Sequence, residues 1–165
     1  MTFSIPPLDQ LPDPAIALHA TAADWRSAIR AAAEALTESG CSEPSYGDRM
    51  IALVEEYGPY IVIAPGLAMA HARPGPDVTA PGIVVVTLAE PVTFGHAYND
   101  PVSVVLGLAA TEADQHVAAV ASLANLFNDE SVIPALAAAT SRDEVRRLLR
   151  AAHPPVSDST PGEAS

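Results

Sequence analysis

Along the first third of the chain apolar residues recur every three or four positions, and beyond it they gather into short continuous runs. Trp25, Ile29, Ala32 and Leu36 share one helical face between a capping-box-like start at Thr21 and Asp24 and a stop at Gly40. Ser42 and Pro44 open a second helix, whose stripe is Tyr46, Met50, Leu53 and Val54 and whose end is Tyr57-Gly58-Pro59. Tyr60 to Ala64 is rich in β-branched residues and reads as a strand. After the Pro65-Gly66 turn, Leu67 to His71 reads as another. Ile83 to Leu88 and "PVSVVLGLAAT" from Pro101 lack polar alternation, which predicts strands covered on both faces. Thr111 and Asp114 repeat the capping pattern ahead of His116, Val120, Leu123 and Phe127 at helical spacing. Residues 129–139 and 141–150 predict two further short helices, the last capped by Ser141 with Glu144.

The intervening segments set the organisation. "RPGPDVTAPG", which directly follows His71, is too rich in proline and glycine for regular structure, and "EPVTFGHAYND" is a connection with room for a short strand. Residues 1–20 carry four prolines and read mostly as an N-terminal arm, with Ile16 to Leu18 able to form a short strand or edge segment. After Ala152, "HPPVSDSTPGEAS" has the composition of a disordered tail. Residues 21–152 are therefore expected to form a single α/β domain, a mixed sheet of about five strands flanked by helices on both faces. Strand order is not legible from one sequence.

With 165 residues, 49% of them hydrophobic, the chain can bury one sizeable core. Its formal charge is −12, and all eight basic residues are arginine. No basic face is available to neutralise phosphates, which argues against nucleic acid or an anionic membrane as partner. Cys41 stands alone, so neither an internal disulfide nor a CxxC metal site is possible, and its connector position marks it as inert. The N-terminus lacks the basic and apolar regions of a signal peptide and no run approaches the length of a membrane span, so the expectation is a soluble, cytoplasmic protein.

Candidate chemistry rests on histidine. His19 and His153 lie in weak positions. His71 ends a strand and precedes the proline-rich loop, a place where a rigid element presents a side chain to a cleft. His116 falls within the first turns of a helix on its inward side, and His96 lies in the "FGHAYNDP" connection. Any of the three could equally be a structural histidine bonded to a backbone carbonyl. Their spacings of 25 and 20 residues match no compact zinc motif, and HExxH, GxSxG, P-loop and GxGxxG patterns are all absent.

The segment "APGLAMAHARP", 64–74, resembles the active-site segment of the enzyme IIA domains of the bacterial phosphoenolpyruvate-dependent sugar phosphotransferase system, in the mannitol-fructose class. "EEYGPYIVIAPGLAMAHARP" and "FGHAYNDPV" look most like the ascorbate-type branch, and "GLAATEADQHVAAVASLANLF" resembles the segment where that class carries a second active-site histidine. The resemblance implies that His71 accepts a phosphoryl group from the phosphocarrier HPr and passes it to a cysteine of enzyme IIB, with the membrane permease an indirect partner. It implies that His116 is the second histidine of the pocket. Arg73 and His96 are the further candidates for stabilising phosphoryl oxygens, and no cofactor or metal is expected. Family members usually have proline before the acceptor histidine, where this chain has Ala70. The mannitol branch also carries an arginine in the preceding helix at a position near Leu53, a charge that Arg73 is placed to replace. Two alternatives stand beside the carrier: a regulatory module of the same fold, and a metal-dependent hydrolase in which His71, His96 and His116 converge with a carboxylate.

Overall fold

In chain order the elements are β1 (Ile16–Ala20), α1 (Trp25–Glu38), α2 (Ser45–Tyr57), β2 (Val62–Ala64), β3 (Leu67–His71), β4 (Gly82–Val92), β5 (Val102–Ala109), α3 (Ala113–Leu126), α4 (Val132–Ala138) and α5 (Arg142–Ala152). The structure, a computed structural model, describes residues 10–152 apart from 128 and 130, and the side chains of 115, 116, 122, 124–126 and 152 fall outside that description. Residues 1–9 of the expected arm, and the expected tail with His153, also lie outside the described residues. Among the described residues no helix is long and apolar enough to cross a membrane.

The two runs without polar alternation take the middle of the sheet. Strand order is β1-β4-β5-β3-β2; β1 with β4 and β3 with β5 are parallel, while β4 with β5 and β2 with β3 are antiparallel. Residues 82–88 of β4 and 104–109 of β5 are buried without a break, and because successive side chains point to opposite faces, both faces of this central pair are covered. α1 lies on β4 and β5, α4 also packs on them, and α5 packs on β1 and α4.

Local chemistry sets most boundaries. Asp24 stands directly before α1, and its carboxylate accepts the Ser27 backbone N–H at 2.8 Å; Thr21, expected to share in the cap, takes no part because Asp24 already occupies the N-cap. Gly40, at φ +81°, supplies the expected stop. For α2 the N-cap is Pro44, which has no side-chain acceptor to offer. Ser42, expected to open that helix, is instead drawn into a backbone bridge with Val78, and its buried Oγ has no partner among the described residues. At α5 the Ser141 Oγ accepts the Glu144 N–H at 3.1 Å, as the spacing predicts.

Two boundaries move. β4 continues through Glu90 and Pro91 to Val92, residues expected in the following connection, and Ala89 to Pro91 are exposed there. Within the expected arm, Ile16 to Leu18, read as able to form a short strand or edge segment, belong to β1, an edge strand parallel to β4 that extends to Ala20, and Leu11, Ala15 and Ile16 lie in the core. Pro12 and Pro14 precede this strand instead of interrupting it, so they cost it no ladder bonds. Two arginines of α5 then fasten the segment: Arg142 Nε donates to the Ile16 carbonyl at 2.9 Å and Arg146 Nε to the Leu11 carbonyl at 2.9 Å.

Candidate functional site

His71 is the last residue of β3 and pairs with Leu108 of β5. Its Nδ1 lies 2.8 Å from the Met69 carbonyl. A carbonyl oxygen can only accept, so Nδ1 carries the ring proton and the lone pair is on Nε2. The ring is half-buried, and that burial holds its pKa below the ordinary 6.5, outweighing the opposite pull of the Met69 carbonyl. At neutral pH His71 is thus a neutral imidazole of fixed tautomer, with Nε2 as the nucleophilic atom. The Tyr60 ring meets it edge-on, with centroids 5.9 Å apart at 86°.

His71 opens into a cleft of about 480 Å³ lined also by Leu53, Tyr57, Tyr60, Ala72 and Arg73. The two tyrosines form an exposed aromatic rim. Leu53, near the position at which the resemblance puts an arginine in the mannitol branch, contributes only aliphatic surface, and Arg73 lines the same cleft.

Side chains of α2 secure the chain just beyond the histidine. The buried Tyr46 hydroxyl lies 2.7 Å from the Leu108 carbonyl and 3.1 Å from that of Ala72, and it accepts the Ala72 N–H at 3.0 Å. Its single proton goes to the nearer carbonyl, and desolvation pushes its pKa up to about 12, so it stays protonated. One turn further on, the Arg49 guanidinium grips Asp77 with two bonds, Nε to Oδ2 at 2.9 Å and Nη2 to Oδ1 at 2.7 Å. The same Nη2 donates to the Arg73 carbonyl at 2.8 Å. Arg49 holds the Asp77 carboxyl below the usual carboxylate range. Gly75 makes room for this grip, since a Cβ there would sit 2.8 Å from Nη2.

Of the residues singled out from the sequence, His71 and Arg73 line one cleft. For His116 the backbone alone is described: it is the fourth residue of α3, and its side chain lies outside the described residues. Because β5 runs parallel to β3 with Leu108 beside His71, α3 starts at the sheet end that carries His71. His96 is a different matter. It sits in the connection entering the opposite end of β5, where the neighbouring Asn99 carbonyl receives the Gly66 N–H ahead of β3. At about 3.3 Å per strand residue, the five steps from Gly66 to His71 separate the two ends by roughly 16 Å. His96 serves that loop: its Nδ1 accepts the N–H groups of Tyr98 and Asn99, while Asp100 accepts those of Phe94, Gly95 and His96. The proposed stabilising role for His96 is therefore corrected, and the three-histidine convergence required of a hydrolase does not form. Among the described residues no group of three or more His, Cys, Asp or Glu is placed to hold a metal.

Tyr46, Arg49, Tyr60 and Asp77 were not marked by sequence reasoning. Tyr46 looked like core, as it is, but its hydroxyl has work that periodicity does not reveal; Arg49 and Asp77 are 28 residues apart and meet only in three dimensions. Cys41 is buried as an inert residue would be, with burial pushing its thiol pKa up.

Comparison with known proteins agrees with this geometry. The family described as phosphoenolpyruvate-dependent sugar phosphotransferase system, EIIA 2, matches residues 10–152. The ascorbate-specific PTS system EIIA component of Shigella boydii is 38% identical over 135 residues, covering 81% of this chain and 88% of that protein. Among solved structures, a candidate PTS IIA protein, PtxA, of Streptococcus mutans superposes with a TM-score of 0.76 at 37% identity, covering 84% of this chain and 88% of the other. Enzyme IIA of the mannitol system of Escherichia coli, solved in complex with phosphorylated enzyme IIB, superposes with a TM-score of 0.74 at 33% identity, covering 86% and 98%. A half-buried, tautomer-fixed histidine at the end of β3 thus sits within a mixed five-stranded fold shared with these proteins, and the chain belongs to the EIIA 2 family of the phosphoenolpyruvate-dependent sugar phosphotransferase system.

Proposed function

We propose that this chain is a cytoplasmic phosphocarrier in which His71 Nε2 takes a phosphoryl group from phosphorylated HPr and passes it to a cysteine of an enzyme IIB. In the first step an N–P bond forms at Nε2 as the donor's bond to phosphorus breaks. In the second, a thiolate attacks phosphorus and the Nε2 bond breaks. The observation that carries this reading is the Nδ1 contact with the Met69 carbonyl, which keeps the ring proton on Nδ1 and so leaves the Nε2 lone pair to form the N–P bond. Transfer of this kind depends on positioning and on charge stabilisation, and the chain needs no cofactor of its own for it. Arg73 supplies positive charge in the cleft. His116 is assigned a donor role on its place in the first turn of α3, near the positive helix end, at the sheet end where His71 stands. Enzyme IIB as recipient is supported by the mannitol-system complex, and ascorbate as the transported sugar by the similarity to the Shigella boydii protein.

The test is reconstitution with phosphoenolpyruvate, enzyme I and HPr, followed by mapping of acid-labile phosphate. The wild type acquires phosphate on His71, and a folded His71→Ala variant acquires none. Retention of acid-labile phosphate by that variant would overturn the assignment. Adding enzyme IIB then separates transport from regulation: a carrier discharges its phosphate, whereas a regulatory module keeps it.

A further inference from the structure

Arg73 reaches the His71 cleft from the first stretch of a loop rich in proline and glycine, and an exposed arginine on such a loop has many rotamers and backbone states open to it. The rear of that loop is not left to itself. Arg49 ties three points together: both carboxylate oxygens of Asp77, at 2.9 and 2.7 Å, and the backbone carbonyl of Arg73, at 2.8 Å. Asp77 is almost wholly buried and its own carbonyl accepts the Glu43 N–H at 2.8 Å, so the far end of the loop is anchored to the entry of α2. The Val78 N–H closes a turn onto the Gly75 carbonyl at 3.0 Å. Arg49 itself is held over the Tyr46 ring, 5.2 Å from its centroid, and Tyr46 grips Ala72 between His71 and Arg73. Every bond in this set acts on the backbone of residues 72–78 or on Asp77, and Arg73 itself lines the cleft.

We propose that Arg49 and Asp77 form a latch that aims the Arg73 guanidinium into the His71 cleft, making both of them positioning residues for phosphoryl transfer. The inference rests on the reading of His71 as the acceptor and adds to it a role for two residues that do not touch the phosphoryl group. A forked guanidinium is needed: it can hold a carboxylate with two bonds and a carbonyl with a third, a pattern the ammonium of lysine cannot reproduce in the same plane.

The experiment is a rate measurement of His71 phosphorylation by phosphorylated HPr at saturating donor, on the full-length chain, with thermal melts to establish that each variant is folded. Wild-type protein that takes no phosphate on His71 would defeat the underlying reading before the latch is put to the test. With that established, Arg73→Ala removes the guanidinium but keeps the carbonyl that Arg49 holds, and Arg49→Ala removes the latch but keeps Arg73. Each is expected to slow acceptance at saturating donor by about 10- to 100-fold, a typical penalty for misplacing a group by about 1 Å. The double variant Arg49→Ala/Arg73→Ala is expected to be no slower than Arg73→Ala alone, because Arg49 acts only through Arg73. Arg49→Lys keeps the charge beside Asp77 and serves if Arg49→Ala does not fold; it is expected to be several-fold slow, again with no further loss when combined with Arg73→Ala. Wild-type rates for the folded Arg49 variants, losses that multiply in the double variant, or a wild-type rate for Arg73→Ala would each overturn the latch.

Discussion

The Tyr46 hydroxyl lies 2.7 Å from the Leu108 carbonyl, and Leu108 is the β5 residue paired with His71. Through that contact, and through its bond from the Ala72 N–H, one side chain of α2 joins the strand that ends in His71 to the strand beside it. Tyr46→Phe keeps the ring and removes the hydroxyl, leaving the Ala72 N–H and the Leu108 carbonyl to lose a buried partner. The expected cost is about 1–3 kcal/mol of stability, read by urea unfolding, together with slower phosphorylation of His71. A variant as stable as wild type would show that other groups satisfy both atoms.

Phosphoryl acceptance should depend on pH in a particular direction. Burial holds the His71 pKa below 6.5, so the ring stays neutral, and Nε2 nucleophilic, as the pH drops past the value at which an ordinary histidine is half-protonated. The rate of acceptance is expected to fall only below pH 6.5. The same shift bears on folding. The unfolded chain binds this proton first, so the contribution of a neutral His71 is fully present above 6.5 and is lost as pH falls through the lower folded pKa. Comparing the pH dependence of stability in wild type and His71→Gln isolates it, and a difference that grows on the alkaline side would contradict the sign.

Asp77 provides a second linkage. Arg49 depresses its pKa below 3.8, so the pair contributes stability that is present above 3.8 and lost as pH falls through the folded value. Asp77→Asn keeps the shape and removes the charge. At neutral pH it should cost about 1–2 kcal/mol, the half-exposed Arg49 being able to recover water on its own. The gap between wild type and variant should then shrink as the pH drops below 3.8, as followed by denaturant unfolding at several pH values.

Cys41 should be dispensable for transfer and informative about packing. A Cβ added at Gly82, the first residue of β4, would overlap the Cys41 Sγ. Gly82→Ala is therefore expected to destabilise the fold by about 1–3 kcal/mol through overpacking, and Cys41→Gly should recover much of that loss when combined with it. Cys41→Ser alone should pass phosphate at the wild-type rate. Blocked passage to enzyme IIB in the serine variant would mean that the thiol takes part in the reaction.

Much of this molecule was legible because its signals are local. The cap at Asp24, the stop at Gly40, the turn at Pro65-Gly66 and the unbroken apolar runs of β4 and β5 each follow from a few adjacent residues. The exceptions have physical causes. Pro12 and Pro14 made residues 1–20 read mostly as an arm, with a short strand allowed only over Ile16 to Leu18, whereas the prolines stop short of a strand that runs to Ala20 because its ladder lies with β4, about 70 positions away. Ser42 has the chemistry of a helix cap, but tertiary pairing with Val78 claims its backbone. His96 has the chemistry of a hydrogen-bond donor to phosphoryl oxygens, and only the strand register shows that it lies at the opposite end of the sheet from His71.

Sequence by itself determined that a histidine stands at the end of an apolar strand beside a proline-rich loop, since strand, turn and loop are each encoded by neighbours. The family resemblance lay in the same contiguous residues. What only the tertiary structure decided is which nitrogen of His71 holds the proton, which arginine lines the cleft, and which one lies behind it. Those depend on a carbonyl brought to 2.8 Å and on Arg49 meeting Asp77 across 28 residues of chain. The first contact reaches back two residues within β3 and the second ties α2 to the loop that follows β3, and no periodicity along the chain records either.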